Sequence, residues 1–387
     1  MTLRPYGIVI DGRLELGLEV VIDESGTIDE LRPHNGAPEP YVLSPAFVNA
    51  HSHFEYRGLL GQIDESSYFD WIAALTRLKR GQDLKAVRED CLLAAAENRS
   101  TGVGFVCEHS DRPFSGEALA SSGPEGIIFQ EVITFGDQGD PARKLEAVAE
   151  NVRKNAVLFK GEIHMSPHAP WSVDPATLQT LAEAGGRISI HVAESVHEND
   201  YFRFGRGPIA ELCADAGMEH PQGVRVVSLL SDLGFMRPGV QFVHACDVDH
   251  DEVALIAESS VTVAHCPRSN EALNCPRAPV RELLDAGVSV GLGLDSAASS
   301  GSIDMFAEMR AAVDVAAERG GPLTPEEVWR MATCMGAESV WLEGWDIAVG
   351  QAAPLIKILV EDAEHIGDLI AEGAPDRIEW VSTGIRN

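Results

Sequence analysis

The sequence predicts an α/β chain, a (β/α)8 TIM barrel with a small β-sandwich domain formed by both chain ends. Two observations predict it. From Pro45 onward, short apolar runs alternate with amphipathic, alanine-rich segments, the pattern of repeated βα units. Several of these runs close on a histidine or an aspartate, at His51, His191, His244, His265 and Asp295, where the C-terminal rim of a barrel would collect them.

In chain order, Gly7 to Glu30 places short apolar runs between turn residues and reads as small antiparallel strands. Residues 1–44 are expected to be the N-terminal part of the sandwich, with Pro38 to Ser44 as a linker. Residues 45–344 carry eight candidate barrel strands: Ala46–Ala50, Val103–Glu108, Gly126–Ile133, Gly161–Met165, Ile188–Val192, Val240–Val243, Val261–Ala264 and Val288–Leu294. The pieces between them, such as LKAVREDCLLAAAENR, ARKLEAVAENVRKN, PATLQTLAEAG and DEVALIAES, have helical spacing. APVRELLDAG adds proline near its start and glycine at its end. Past Asp295, DMFAEMRAAVDVAAER and TPEEVWRMATCMGAESVW also read as helices. Residues 345–387 return to short strands, APLIKILVED and RIEWVSTG, and complete the sandwich. The long loop after the first barrel strand carries few substrate signals beyond Trp71, a candidate pocket wall.

The 60 acidic side chains against 30 basic ones give a formal charge of −30, which argues against a nucleic-acid backbone or an anionic membrane as partner. The same field repels an anionic small molecule, so a substrate carboxylate would need a local arginine. No apolar run approaches the roughly 20 residues needed to span a bilayer, and the N-terminus lacks the apolar block of a signal peptide. A cytoplasmic enzyme with a small-molecule substrate is expected, and a homo-oligomer stays open. The 7 cysteines are scattered without a C-x-x-C pair, as suits reduced thiols.

The stretch PAFVNAHSHFE, Pro45 to Glu55, ends an apolar run in His51 and His53. Residues two apart on a strand project to one face, so both imidazoles can reach one divalent ion at roughly 2.0–2.1 Å for zinc. Chance pairing competes, because the chain has 13 histidines. Core histidines would be scattered along the strands, however, whereas these sit at strand ends.

With PAFVNAHSH, HVAE, VHA, AHCPRSN and GLDSAASSG in that order, the chain resembles the amidohydrolase superfamily, in its cytosine deaminase and chlorohydrolase-like branch, over nearly its whole length. The resemblance implies His51, His53, His191 and Asp295 as the protein ligands of one divalent metal, zinc by ligand chemistry, with ferrous iron the alternative. It also implies that Asp295 takes the proton of the attacking water and that His244 donates to the attacking oxygen without ligating. Glu194 would carry a proton to a ring nitrogen of the substrate. Binuclear members use a carboxylated lysine at the end of the fourth strand; here that strand runs into SPHAPWSV, and Lys160 precedes it. The competing role for Glu194 is a helix cap. His265 is expected as wall or support and His164 as a satisfied core residue, while His109 has no assigned role.

HSHFE, FQEV, SPHAPWSV and CPRSNEALNC narrow the resemblance to the aminodeoxyfutalosine deaminases. This implies deamination of 6-amino-6-deoxyfutalosine to futalosine and ammonia, a step of menaquinone biosynthesis. His168 would then bind a ribose hydroxyl, and Glu55 and Glu131 the purine edge. Arg268, with Arg57 as the weaker candidate, would pair with the substrate carboxylate. The alternatives are an S-adenosylhomocysteine, methylthioadenosine or other heterocycle deaminase, a triazine-type chlorohydrolase, or a binding protein that kept the barrel. Pro354 departs from the family's usual C-terminal strand signature, away from the metal site.

Overall fold

Runs rich in valine, isoleucine and phenylalanine become strands buried along their whole length, the mark of parallel sheets covered on both faces. The computed structural model describes residues 1–135, 140–352, 354–360 and 362–382. Among them, β1 (Phe47–Ser52), β2 (Val103–Ser110), β3 (Glu125–Val132) and β4 (Glu162–Pro167) form a 4-stranded parallel sheet in sequential order. A second 4-stranded parallel sheet holds β5 (Ile188–Val192), β6 (Val240–His244), β7 (Thr262–His265) and β8 (Val290–Leu292).

The two sheets meet along two seams. At one, Ser52 and Asp295 form a parallel bridge, and the Asp295 N–H donates to the His51 carbonyl at 2.9 Å. At the other, the His191 N–H donates to the His168 carbonyl at 2.9 Å, and the Ser189 N–H to Ser166 Oγ at 3.0 Å. Glycine is required where β8 leaves the sheet. A Cβ on Gly293 would lie 2.8 Å from both His51 Cβ and Cys266 Sγ, closer than side chains pack. Its absence lets this segment lie against β1.

Each expected barrel strand is present, with ends moved by a few residues, and β8 is the most shortened. The expected helices are present too, but the one over Thr324 to Trp341 is two, Pro325–Ala332 and Cys334–Ser339, broken at Thr333. Thr333 leaves helical geometry while its hydroxyl donates to the Trp329 carbonyl at 2.7 Å. Two further corrections concern the segments that flank β1. The expected linker is a strand, Glu39–Pro45, because Tyr41 and Leu43 face the small core and Val42 the main one, a period-two pattern. The loop after β1 carries a helix, Tyr68–Gly81. Tyr68, Trp71, Leu75 and Lys79 fall at spacings of three and four, so they share one face.

The chain ends build a 3-stranded antiparallel sheet (Thr2–Leu3, Leu18–Ile22, Ile28–Pro33) and a 5-stranded sheet. The latter runs Ile378–Trp380, Leu355–Ile358, Glu39–Pro45, Pro5–Ile10, Arg13–Leu16. Ile8, Val20, Ile22, Ile28, Leu43 and Leu355 bury a separate small core. The tail also holds an unexpected helix, Ile366–Glu372, and residues 383–387 of the expected C-terminal part lie outside the described residues. Among the described residues, no helix is long and apolar enough to cross a membrane.

Candidate active site

The C-terminal ends of strands from both sheets converge on one cluster of imidazoles and carboxylates. His51 is next to last in β1 with His53 just beyond the strand, His191 lies in β5, His244 ends β6, and Asp295 follows β8. Ala193, His244, Ala245 and Asp295 all have positive φ, between 48° and 73°. This left-handed backbone is costly for side-chain-bearing residues and is tolerated where the surroundings fix it, often at functional sites. Asn49 helps to fix it. Its buried Oδ1 accepts from the Leu294 N–H at 2.9 Å and the His51 N–H at 3.4 Å, while Nδ2 donates to Asn98 Oδ1 at 3.0 Å.

His53 Nε2 lies 3.3 Å from His191 Nε2, and Asp295 Oδ1 lies 3.6 Å from His51 Nε2 and 3.9 Å from His53 Nε2. Donor atoms bound at roughly 2.0–2.1 Å around a tetrahedral cation are spaced by about 3.3–3.4 Å. The cluster is slightly open but of that size. Hydrogen positions agree with it. The Nδ1 atoms of His53 and His191 face the carbonyls of His109 and His168 at 3.0 and 2.8 Å. A carbonyl only accepts, so each Nδ1 carries the proton and each Nε2 presents a lone pair. Two lone pairs aimed at each other could hold a cation between them. Neither ring nitrogen of His51 has a hydrogen-bond partner among the described residues.

Burial holds the imidazoles of His51 and His53 well below their usual range, and His191 at about 4. They are therefore neutral, as ligands must be. Burial would raise Asp295, but the surrounding imidazoles, His244 foremost, and a Ser269 hydrogen bond together outweigh it, and the carboxyl stays below its usual range. Three neutral imidazoles and one carboxylate suit zinc, and also other borderline divalent cations.

Glu194 sits beside this donor set. Tyr68 O–H donates to its Oε2 at 2.7 Å, and His244 Nε2 lies 3.5 Å from its Oε1. Burial pushes its carboxyl up to about 8, Asp295 adds to the rise, and the Tyr68 hydrogen bond opposes it. The helix Val196–Phe204 has no side-chain cap; Glu198 within it accepts from the N–H groups of Ala193 and Glu194 at 3.1 and 2.8 Å and so holds the backbone that precedes it. The Glu194 side chain is left to face the cluster.

Above the cluster is an inner recess of about 50 Å³, lined by His53, Trp71, His168, Glu194, His244 and Asp295 among others. It shares Tyr56, Ile72, Leu75 and His168 with an outer cavity of about 710 Å³, so the two adjoin. The outer cavity is walled by Phe69, Ile72, Ile133, Phe135 and Trp171, with Arg77 and Arg80 also on its lining. His168 stands at the junction, its Nδ1 on Ser172 Oγ at 2.9 Å.

Several expected contacts are not formed. Arg268 lines neither cavity: its guanidinium donates to the Ser302 carbonyl at 2.9 Å and lies 3.8 Å from buried Glu308. Arg57 is paired with Glu97 and lies 3.8 Å from Asp90. Glu55 is occupied by Lys79 Nζ at 2.8 Å and Ser110 Oγ at 2.6 Å. Glu131 packs behind His191, 3.8 Å from Nδ1, and it too is absent from both linings. His164 is half-buried rather than core, with Nε2 on Glu162 at 2.9 Å. His265 is buried near the cluster, and His109 stacks on Phe129 with ring centroids 5.0 Å apart.

Tyr68, Lys79 and Asn270 were not singled out by sequence. The first two were legible as members of the helical stripe that also carries Trp71. Asn270, whose Nδ2 lies 3.0 Å from His244 Nδ1, gave no signal beyond its place in CPRSN.

A neutral, histidine-rich donor set beside a proton-bearing carboxylate, at the strand ends of parallel sheets, defines a metal-assisted hydrolase. The chain belongs to the amidohydrolase family, which it matches over residues 42–373. It is a hydrolase acting on C–N bonds. Among its relatives, a 5-methylthioadenosine/S-adenosylhomocysteine deaminase of Haloarcula marismortui is 30% identical over 370 residues, covering 90% of this chain and 79% of the relative. Two solved structures share the fold. An adenosine deaminase of Xanthomonas campestris with bound zinc superposes with a TM-score of 0.83 at 21% identity, covering 99% of this chain and 91% of that one. Helicobacter pylori aminofutalosine deaminase with methylthio-coformycin gives 0.81 at 19% identity, covering 98% and 99%.

Proposed function

We propose that this protein is a metal-dependent deaminase of purine nucleosides with a large 5′ substituent, converting 6-amino-6-deoxyfutalosine to futalosine and ammonia. The supporting observation is the small recess over the cluster, which shares part of its lining with an aromatic cavity of about 710 Å³. A purine ring fits against the cluster only if the rest of the nucleoside has somewhere to go, and bare adenosine would leave most of that apolar wall unfilled. On this reading the two parallel sheets are halves of one (β/α)8 barrel over residues 45–344. Residues 1–44 and 345–387 make one β-sandwich, and the enzyme is cytoplasmic.

His51, His53, His191 and Asp295 would hold one divalent cation, zinc by its donor set. When bound, such a cation supplies the Lewis acidity that lowers the pKa of a water from roughly 15.7 to about 7. The protein's own groups do the rest. Asp295 accepts a proton from the attacking water. Glu194 delivers its proton to the ring nitrogen next to C6; on collapse to the carbonyl the C6 hydroxyl gives its proton, through the ionised Glu194, to the amine, which departs as ammonia, and the proton held by Asp295 restores Glu194 to its starting form. His244 donates from Nε2 to the oxygen adding to C6, and His168 receives the ribose. With Arg268 occupied elsewhere and Lys79 held by Glu55 and Asp111, the substrate carboxylate falls to Arg77 or Arg80 at the outer cavity.

The 30% identical relative favours a second reading, in which the substrate is methylthioadenosine or S-adenosylhomocysteine. Steady-state ammonia release from 6-amino-6-deoxyfutalosine, these two nucleosides and adenosine separates the readings. The first expects kcat/KM for 6-amino-6-deoxyfutalosine to exceed each of the others by at least about tenfold, equal to ~1.4 kcal/mol of transition-state binding. Release of ammonia from none of them would overturn both.

A further inference from the structure

The histidines of the site fall into two classes according to the group that faces Nδ1. His53 and His191 face backbone carbonyls, which accept only, so their Nε2 atoms carry lone pairs. His244 faces the opposite kind of group. Its Nδ1 lies 3.0 Å from the Nδ2 of buried Asn270, in the Pro267–Ala272 segment directly after β7. An amide NH2 only donates, so Nδ1 must accept and the single ring proton sits on Nε2. The other end of the ring agrees. Nε2 faces Glu194 Oε1 at 3.5 Å, and the ligand atoms of His244, Glu194 and Asp295 lie within 4.8 Å of one another. The Asp295 carboxylate and the Glu194 oxygen that faces the ring can both accept, which favours N–H there rather than a lone pair.

This matters because His244 is close enough to ligate. With His51 and His191 it forms a group whose donor atoms also lie within 4.8 Å of one another. Distance therefore does not exclude it from the coordination shell, but a protonated Nε2 does.

We propose that Asn270 is a positioning residue that fixes the His244 tautomer, keeping this imidazole a hydrogen-bond donor to the reacting oxygen and out of the cation's coordination shell. The proposal rests on the metal-dependent reading above, and its test separates the two. In full-length, zinc-loaded protein labelled with 15N in histidine, the His244 resonances are identified by their loss in His244→Gln. The wild type is expected to show a pyridine-type Nδ1 and a pyrrole-type Nε2. Asn270→Asp places an acceptor opposite Nδ1 and should invert that pattern. With it, kcat should fall about 100-fold or more while KM changes little, since an inverted tautomer beside a reacting centre costs up to ~10⁴ in rate elsewhere. Asn270→Ala, which imposes neither tautomer, should lose less. A pyrrole-type Nδ1 in the wild type, or an unchanged pattern in Asn270→Asp, would overturn the assignment. The wild-type spectrum decides even if the variants fold poorly. Failure to deaminate any purine nucleoside would sink the functional reading but leave the tautomer result standing.

Discussion

Tyr68 and Glu194, 126 residues apart in sequence, are joined by a 2.7 Å hydrogen bond at the mouth of the site. The bond ties the helix that roofs the recess to the carboxyl expected to move the proton. The hydroxyl donates to Glu194, stabilises its ionised form and so holds its pKa down against burial. Tyr68→Phe removes that stabilisation, and the Glu194 pKa should rise. If Glu194 acts in its protonated form, the alkaline limb of kcat/KM moves to higher pH. A profile of kcat/KM against pH checks this, and an unmoved alkaline limb would separate Tyr68 from the proton transfer.

Glu194→Gln keeps the shape of the side chain and none of its proton chemistry. We expect metal content equal to wild type and a loss in kcat of about 10²–10⁴, the usual weight of a positioned general acid. Metal analysis beside steady-state kinetics tests it; near-wild-type turnover would refute the role.

Chelation should abolish turnover, and one equivalent of zinc or ferrous iron per chain should restore it. The comparison that matters is stoichiometry. Restoration that needs two equivalents would show a second cation, contrary to the single donor set formed by His51, His53, His191 and Asp295.

Lys79 lies between Glu55 and Asp111, at 2.8 and 3.1 Å, with its side chain 16% exposed. Lys79→Met leaves buried Glu55 and half-buried Asp111 without their cation, which costs about 3–5 kcal/mol where a buried pair is broken. Urea unfolding would show this as a lower midpoint with little change in slope.

Arg268 and Arg80 should behave oppositely. Arg80→Ala is expected to raise KM for a carboxylated nucleoside far more than for its uncharged analogue. Arg268→Ala should raise both alike or neither, because that guanidinium is engaged by Ser302 and Glu308. Paired Michaelis constants for the two nucleosides decide it.

What the sequence made legible follows from how locally each feature is encoded. The parallel strands and the histidine and aspartate cluster at their ends could be read because burial on both faces writes an unbroken apolar run, and a site at strand ends writes a polar residue at its close. Pro38 to Ser44 reads as a linker because the period-two pattern of the strand there serves two different cores. The Tyr68–Gly81 helix was passed over because its buried stripe mixes tyrosine, tryptophan and lysine. The placement of Arg268 away from both cavities was not legible, because nothing local records that Glu308, 40 residues away, claims its backbone N–H at 3.1 Å and lies close to its guanidinium. Asn270 illustrates the remaining limit, since its meaning lies wholly in the ring nitrogen it faces.

The expected ligands are divided between the two parallel sheets. His51 and His53 belong to one half of the strand array, His191 and Asp295 to the other. A cation held by all four acts as a rivet through both halves, so emptying the site should loosen the joint between them as well as disarm the chemistry. Hydrogen exchange should then quicken first where β1 meets β8 and where β4 meets β5, leaving the middle of each sheet protected.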